Sequence, residues 1–205
     1  MELILATLFA TIVIGFLMRG RLSNLSRLRL RWAPLALVGF SMQLINPPGR
    51  WPLFMLLGSF VLLTIFAVVN IRTAGFALIM IGVAMNFTVI AVNGGMPVAR
   101  QALVASGQVG TLSDLVDSAD GYVKHHLADA DDRVVFLADV IALPAPISQA
   151  ISLGDIYTYG GVLVVVVAAM RRRSEDEDVE SVTTLQTAIV RGPPIAAGEA
   201  HGARG

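Results

Sequence analysis

In a chain of 205 residues that is 55% hydrophobic and only 15% charged, long apolar runs rather than a soluble core set the class. Fifteen basic residues balance fifteen acidic ones, so there is no bulk basic field to bind nucleic acid. No cysteine is present, which removes disulfides, thiolate nucleophiles and Cys-ligated metals.

Residues 3–18 are almost wholly apolar and, at about 1.5 Å rise per residue, nearly cross a hydrocarbon core of about 30 Å. Glu2 precedes this run and Arg19 and Arg21 follow it, the reverse of a secretory signal peptide, so it reads as an uncleaved anchor. Arginines cluster between Arg19 and Arg31, a link expected to stay in the cytoplasm, with Leu22, Leu25 and Leu28 laying part of it along the membrane surface. Residues 32–46 predict a short second span capped by Asn46. The turn Asn46-Pro47-Pro48-Gly49-Arg50-Trp51-Pro52 then hairpins it to a third span over 53–69. A loop at Asn70 leads to a fourth span over 74–92, interrupted by Asn86, and 155–170 form a fifth that ends in Arg171-Arg172-Arg173.

Five spans with an outward amino terminus place eleven of the fifteen basic residues inside and leave Arg50, Arg100, Lys124 and Arg133 outside. The transmembrane domain is thus expected over 1–173, with 93–154 extracytoplasmic. Residues 174–205, opening on Glu175-Asp176-Glu177-Asp178, predict a disordered acidic cytoplasmic tail in which Thr183 and Thr184 are candidate phosphorylation sites. The expected fold is all-α, a five-span helix bundle with short amphipathic or re-entrant helices between spans four and five.

The informative stretch runs from Asn93 to Asp155. Asn93-Gly94-Gly95 followed by Pro97 is a helix terminus in chemical terms, because glycine takes the left-handed position and proline prevents re-entry. Asn86 and Asn93, seven residues apart, fall on one helical face and could present amides to a polar ligand. Thr111-Leu112-Ser113-Asp114 resembles a capping box opening a helix that ends at Gly121; residues 98–106 and 122–127 suggest two similar pieces.

His125 and His126 invite a metal, but neighbours on a helix diverge by about 100°, leaving only a His125–Asp129 pair; no metal site and no cofactor is expected. Residues 134–144 are too apolar for a free loop and suggest a re-entrant dip or a packed helix around Asp139. Asp155 reads as the N-cap of the last span, and Asp139 as an interfacial carboxylate near Arg133. The functional alternative joins the two carboxylates in one polar site. No GxSxG, P-loop, GxGxxG or Ser-x-x-Lys pattern occurs.

Three motifs in order, Asn93-Gly94-Gly95-Met96-Pro97-Val98, Leu137-Ala138-Asp139-Val140-Ile141-Ala142-Leu143-Pro144 and Ser152-Leu153-Gly154-Asp155-Ile156, follow Arg19-Gly20-Arg21-Leu22. Together they resemble the bacterial membrane family called domain of unknown function 5317, over roughly residues 1–173. The resemblance implies a bacterial integral membrane protein and carries over no catalytic residue. Ala138 stands where that family often shows glycine, and the acidic tail is particular to this chain.

The leading expectation is a non-enzymatic, multi-pass protein of the bacterial inner membrane, binding a small polar ligand or membrane partner at its outward face through Asn86, Asn93, Asp139 and Asp155. The alternative is a membrane-embedded enzyme acting on a lipid-linked or envelope substrate, with Asp139 or Asp155 as general base and His125 or His126 beside it. Partners are the lipid bilayer, with another membrane protein or a second copy of the chain as further candidates.

Overall fold

The computed structural model describes residues 2–45, 47, 51–117, 124–172, 182, 183 and 186. The chain divides into two units, Met1–Arg171 and Arg172–Gly205. Nearly all of the acidic tail lies outside the described residues, as do Asn46, Pro48, Gly49 and Arg50 of the predicted turn and the predicted helix end at Gly121.

Five apolar helices carry the first unit: α1 (Glu2–Leu17), α2 (Ala33–Leu44), α3 (Trp51–Val69), α4 (Phe76–Asn93) and α7 (Leu153–Met170). Of these, α3, α4 and α7 are long and apolar enough to cross a membrane, while α1 and α2 are shorter apolar helices. At 12 residues α2 reaches only about 18 Å. Their outer faces carry exposed Phe9, Leu17, Leu44 and Phe54, a surface that suits lipid and would be an aggregation liability in water.

Several element boundaries differ from the sequence expectation. Helix α3 begins at Trp51, so Pro52 lies in its first turn, where a missing N–H costs nothing. Asn86 does not break α4, because its side chain finds partners outside the helix. The N-cap of α7 is Ser152 rather than Asp155: Ser152 Oγ accepts from the Asp155 N–H at 3.0 Å, and Asp155 Oδ2 accepts from the Ser152 N–H at 3.1 Å.

Helix α4 packs against both α3 and α7, α2 against α3, and α1 against α7. The α4–α7 seam is set by glycine. A Cβ on Gly82 would lie 2.3 Å from the Gly154 carbonyl oxygen, and one on Gly161 would lie 2.8 Å from the Gly75 oxygen. Moving from Gly75 to Gly82 along α4 is matched by moving from Gly161 back to Gly154 along α7, an antiparallel register in which only small residues let the backbones meet.

One end of the bundle is tied by backbone and amide contacts. The Arg21 N–H and Asn24 Nδ2 both donate to the Met170 carbonyl, at 2.8 and 2.9 Å. Asn70, just past α3, accepts from the Arg31 N–H at 2.9 Å and donates to the Arg31 carbonyl at 2.8 Å. The predicted surface turn at Leu22 is a 3-10 helix, Leu22–Arg27, and Leu28 packs against Ala67 and Phe76.

The opposite end carries a cap that is not all-helical. Helices α5 (Arg100–Ser106) and α6 (Val109–Asp117) are joined by two small sheets. In one, β1 (Met96–Val98) runs parallel to β2 (His125–Leu127); in the other, β3 (Ile141–Leu143) is antiparallel to β4 (Gln149–Ile151). A parallel bridge from Val98 to Asp139 adds a third chain segment beside β1. Helix α6 starts at Val109, ahead of the expected capping box, and Ser113 Oγ instead donates to the Gly110 carbonyl. His125 to Leu127 are extended rather than helical. Residues 134–144 form a 3-10 turn (Val135–Leu137) followed by extended chain, not a re-entrant helix. The reason is pairing: the Asp139 N–H donates to Pro97 O, and the Ala99 N–H donates to Asp139 O, each at 3.0 Å. That ladder offers this apolar segment partners that a helix would not need.

Candidate functional site

The four residues singled out in the sequence fall into three places. Asn86 and Asp155 converge, with Asn86 Nδ2 donating to Asp155 Oδ1 at 2.8 Å while Ser152 Oγ donates to Asn86 Oδ1 at 2.9 Å. Gly154 makes this possible, since a Cβ there would lie 2.0 Å from Asn86 Oδ1. The group therefore welds the cap of α7 to α4. The Asp155 carboxylate serves the capping box with one oxygen and Asn86 with the other.

Asn93 stands apart. Its Nδ2 donates to the carbonyls of Val89 and Arg133, both at 2.9 Å, and its Oδ1 accepts from the Arg133 N–H at 2.8 Å. Gly94 follows at φ 70° with its N–H on the Ile90 carbonyl, the expected left-handed helix end. Asn93 thus fastens the 129–134 loop rather than facing the Asn86 group.

Asp139 is 8% exposed, and its Oδ1 is the one buried side-chain oxygen without a partner among the described residues. It does not pair with Arg133. Burial, and secondarily the charge of Asp155, pushes its carboxyl well above the ordinary aspartate range. The residue lies in a cleft of about 550 Å³, lined by Val98, Leu103, Gln108, Thr111, His125, Asp139, Ile147, Ser148, Gln149 and Ala150.

Polar side chains converge on this cleft unused. Gln108 Oε1 accepts from the Ala150 N–H at 2.8 Å and from Ser106 Oγ, and its amide nitrogen has no partner among the described residues. Among the described residues, no hydrogen bond engages the side chains of Thr111, Ser148 or Gln149. His125 opens onto the cleft, and the protein around that recess lowers its pKa by desolvation, against the opposing pull of Asp155. The Asp139 carboxyl, buried at the floor of the cleft, is driven toward its uncharged form, while His125 stays exposed at its edge.

The strand geometry separates the histidines, since successive residues point to opposite faces. While His125 lines the cleft, His126 Nε2 meets Asp132 Oδ1 at 2.9 Å. The acidic loop beyond it is tied internally: Asp132 Oδ2 accepts from the Asp129 N–H and Asp129 Oδ1 from the Asp131 N–H. The His125–Asp129 helical pairing premised above is therefore not formed, and no cluster of three or more potential metal ligands occurs among the described residues.

The model of a family of unknown function, DUF5317, matches residues 27–167. The chain belongs to DUF5317. No curated protein and no solved structure matches it. The DUF5317 match contains the whole cap and the Asn86–Ser152–Asp155 group. Ala138, where a glycine was expected from the family, is fully buried, so the backbone there packs tightly with a methyl group present.

In this DUF5317 chain, sequence reasoning missed Ser152, although Ser152-Leu153-Gly154-Asp155 carries the Ser-x-x-Asp spacing of a capping box. It also missed Lys124, whose ammonium donates to the Gln43 and Ile45 carbonyls at the end of α2. No local pattern announces that contact across 81 positions. Gln108, Thr111, Ser148 and Gln149 were likewise invisible as a set.

Proposed function

We propose that this protein is a five-span, non-enzymatic component of the bacterial inner membrane whose outward cap binds a small, uncharged polar molecule in the Asp139 cleft. The observation that carries the reading is the buried, unpartnered Asp139 Oδ1 at a cleft whose other polar side chains are unspent. A buried polar atom without a partner is costly, and a ligand that supplies one recovers that cost. With the buried Asp139 carboxyl pushed toward its neutral form, the matching chemistry at its unpartnered oxygen is hydroxyl or amide.

The orientation follows from charge. Arg21, Arg31 and Arg171 lie at the end of the bundle tied through Met170 and Asn70, and the positive-inside rule puts that end in the cytoplasm. The cap is then extracytoplasmic, and α1 and α2 complete the bundle as short spans whose ends lie in the interfacial layer.

Binding is tested on the purified full chain by thermal shift against sugar alcohols, sugars and primary amides, with charged amino acids as comparison. One neutral class should raise the midpoint in the native protein and lose that effect in Asp139→Ala and Gln149→Ala. A response confined to charged molecules, or unchanged in both variants, overturns the reading. Ser113→Cys should react with a membrane-impermeant maleimide from outside the cell; labelling only from the cytoplasmic side overturns the orientation.

A further inference from the structure

A second cavity, of about 370 Å³, lies inside the bundle and is bounded by residues of all five apolar helices. Its walls are mostly apolar, with Phe40, Phe60, Leu63 and Val83 among them. Its polar groups are different in kind from those of the cap cleft: Thr7 on α1, Gln43 near the end of α2, Asn86, and Asp155, Thr158 and Tyr159 in the first turns of α7.

Protein interiors hold few voids larger than a water molecule, and an apolar void does not retain water. A cavity of this volume within apolar helices is therefore a place for an apolar body. Packing and exposure point to a way in. Helix α1 packs on α7 and α2 on α3, but α1 and α2 do not pack on each other as the other neighbouring helices do. The cavity-lining Ile4, Leu8 and Phe40, on those two helices, stay 44–57% exposed. A gap between these two helices would face the acyl chains of a bilayer.

The polar end sets the headgroup. Among the described residues the Tyr159 hydroxyl has no partner, and Gln43 spends its Nε2 on Ser59 Oγ at 3.0 Å and keeps its Oε1 to accept. With Asp155 beside them, this end is rich in acceptors and has no cation among its lining residues. Lys124 spends its ammonium on the Gln43 and Ile45 carbonyls and does not line the cavity, so a phosphate there would meet the Asp155 carboxylate with no cation in the wall, whereas a hydroxyl can donate to Gln43 or Asp155 and accept from Tyr159.

From this geometry we infer that the bundle holds one chain of a membrane lipid, admitted between α1 and α2, with a hydroxyl-bearing, phosphate-free head against Gln43, Asp155 and Tyr159. The inference rests on the membrane placement proposed above, which the Ser113→Cys labelling tests separately. It does not depend on the cap cleft.

The test is native mass spectrometry of the full chain with 1-monooleoylglycerol, and with the lysophosphatidic acid of the same acyl chain. The native protein should retain one monooleoylglycerol and at least fivefold less of the phosphate-bearing lipid. Tyr159→Phe should weaken retention of monooleoylglycerol severalfold, and Leu63→Trp, which fills the cavity, should abolish it. Ser113→Cys, on the exposed face of α6 and lining neither cavity, should leave it unchanged. Should Leu63→Trp fail to fold, Tyr159→Phe decides alone. Absence of a retained lipid, equal retention in Tyr159→Phe, or preference for the phosphate-bearing lipid overturns the inference.

Discussion

Asn86 of α4 meets Asp155 of α7 at 2.8 Å, one turn along α4 from Gly82, whose Cβ position would strike the Gly154 carbonyl. The polar contact and the close backbone approach are parts of one joint. A residue larger than glycine at 154 would occupy the space of Asn86 Oδ1, so the hydrogen bonds exist only because the helices already touch there.

Gly154→Ala is therefore expected to destabilise the protein by about 1–3 kcal/mol through overpacking. Removing the obstructing side chain should recover part of that loss, so the double variant Gly154→Ala with Asn86→Ala should be more stable than the sum of its parts predicts. Thermal or denaturant unfolding of the four members of the cycle in detergent measures the coupling. Additive effects would show that Gly154 and Asn86 do not share this space.

Ser152→Ala removes the N-cap of α7 and should cost about 1 kcal/mol, within the usual range for such caps. Ser152→Thr should retain most of the stability, because the hydroxyl acceptor remains. A lowered unfolding midpoint in the first and a near-native one in the second is the expected pair.

The long helices were legible because apolar runs bounded by Arg, Pro and Gly leave few alternatives, and α3, α4 and α7 match the expected segments within about two residues. The cap was not. Its sheets are three-residue strands paired across 29 positions between Met96 and His125, and such short, non-local pairing leaves little periodicity in the sequence. Leu137-Ala138-Asp139 and Leu153-Gly154-Asp155 are alike in sequence but not in structure, since the first leaves a 3-10 turn for extended chain and the second lies in the first turn of a helix. Asn86 and Asp155 were named from their polarity, and their meeting needed the glycine register of α4 and α7 to be seen.

Asn93 holds Arg133 as Asn70 holds Arg31, with one amide serving both backbone groups of a residue about 40 positions away. Each also donates to the carbonyl four residues before it. Asn93→Ala should release the 129–134 loop and cost about 1–3 kcal/mol if the Arg133 groups are left unpaired, less where water reaches them. Limited proteolysis should cut within that loop in Asn93→Ala and leave it intact in Asn70→Ala. Cleavage in neither would show that the loop is fastened elsewhere.

Lys124 places its ammonium on the last carbonyls of α2, where a cation complements the helix dipole. Lys124→Met keeps the stem and removes the charge and donors, and should cost about 1 kcal/mol. Because the contact joins cap to bundle, the loss should appear as faster hydrogen exchange at the end of α2. Unchanged protection at residues 41–45 would contradict that role.

The pH dependence of stability should carry the signature of Asp139. Its folded pKa is raised by burial and by Asp155, whereas in the unfolded chain it titrates as an ordinary aspartate at about 4. Below that value both states hold the proton and the residue imposes no penalty. As pH rises toward the folded pKa, the unfolded chain releases the proton while the folded one keeps it, so stability falls with pH across that window and then levels. Asp139→Asn cannot titrate and should lose this slope, so its unfolding midpoint should gain on that of the native protein as pH is raised from about 4. Parallel midpoint curves for the two proteins between acidic and neutral pH would mean that Asp139 is charged in the folded state, with a partner at its unpaired oxygen.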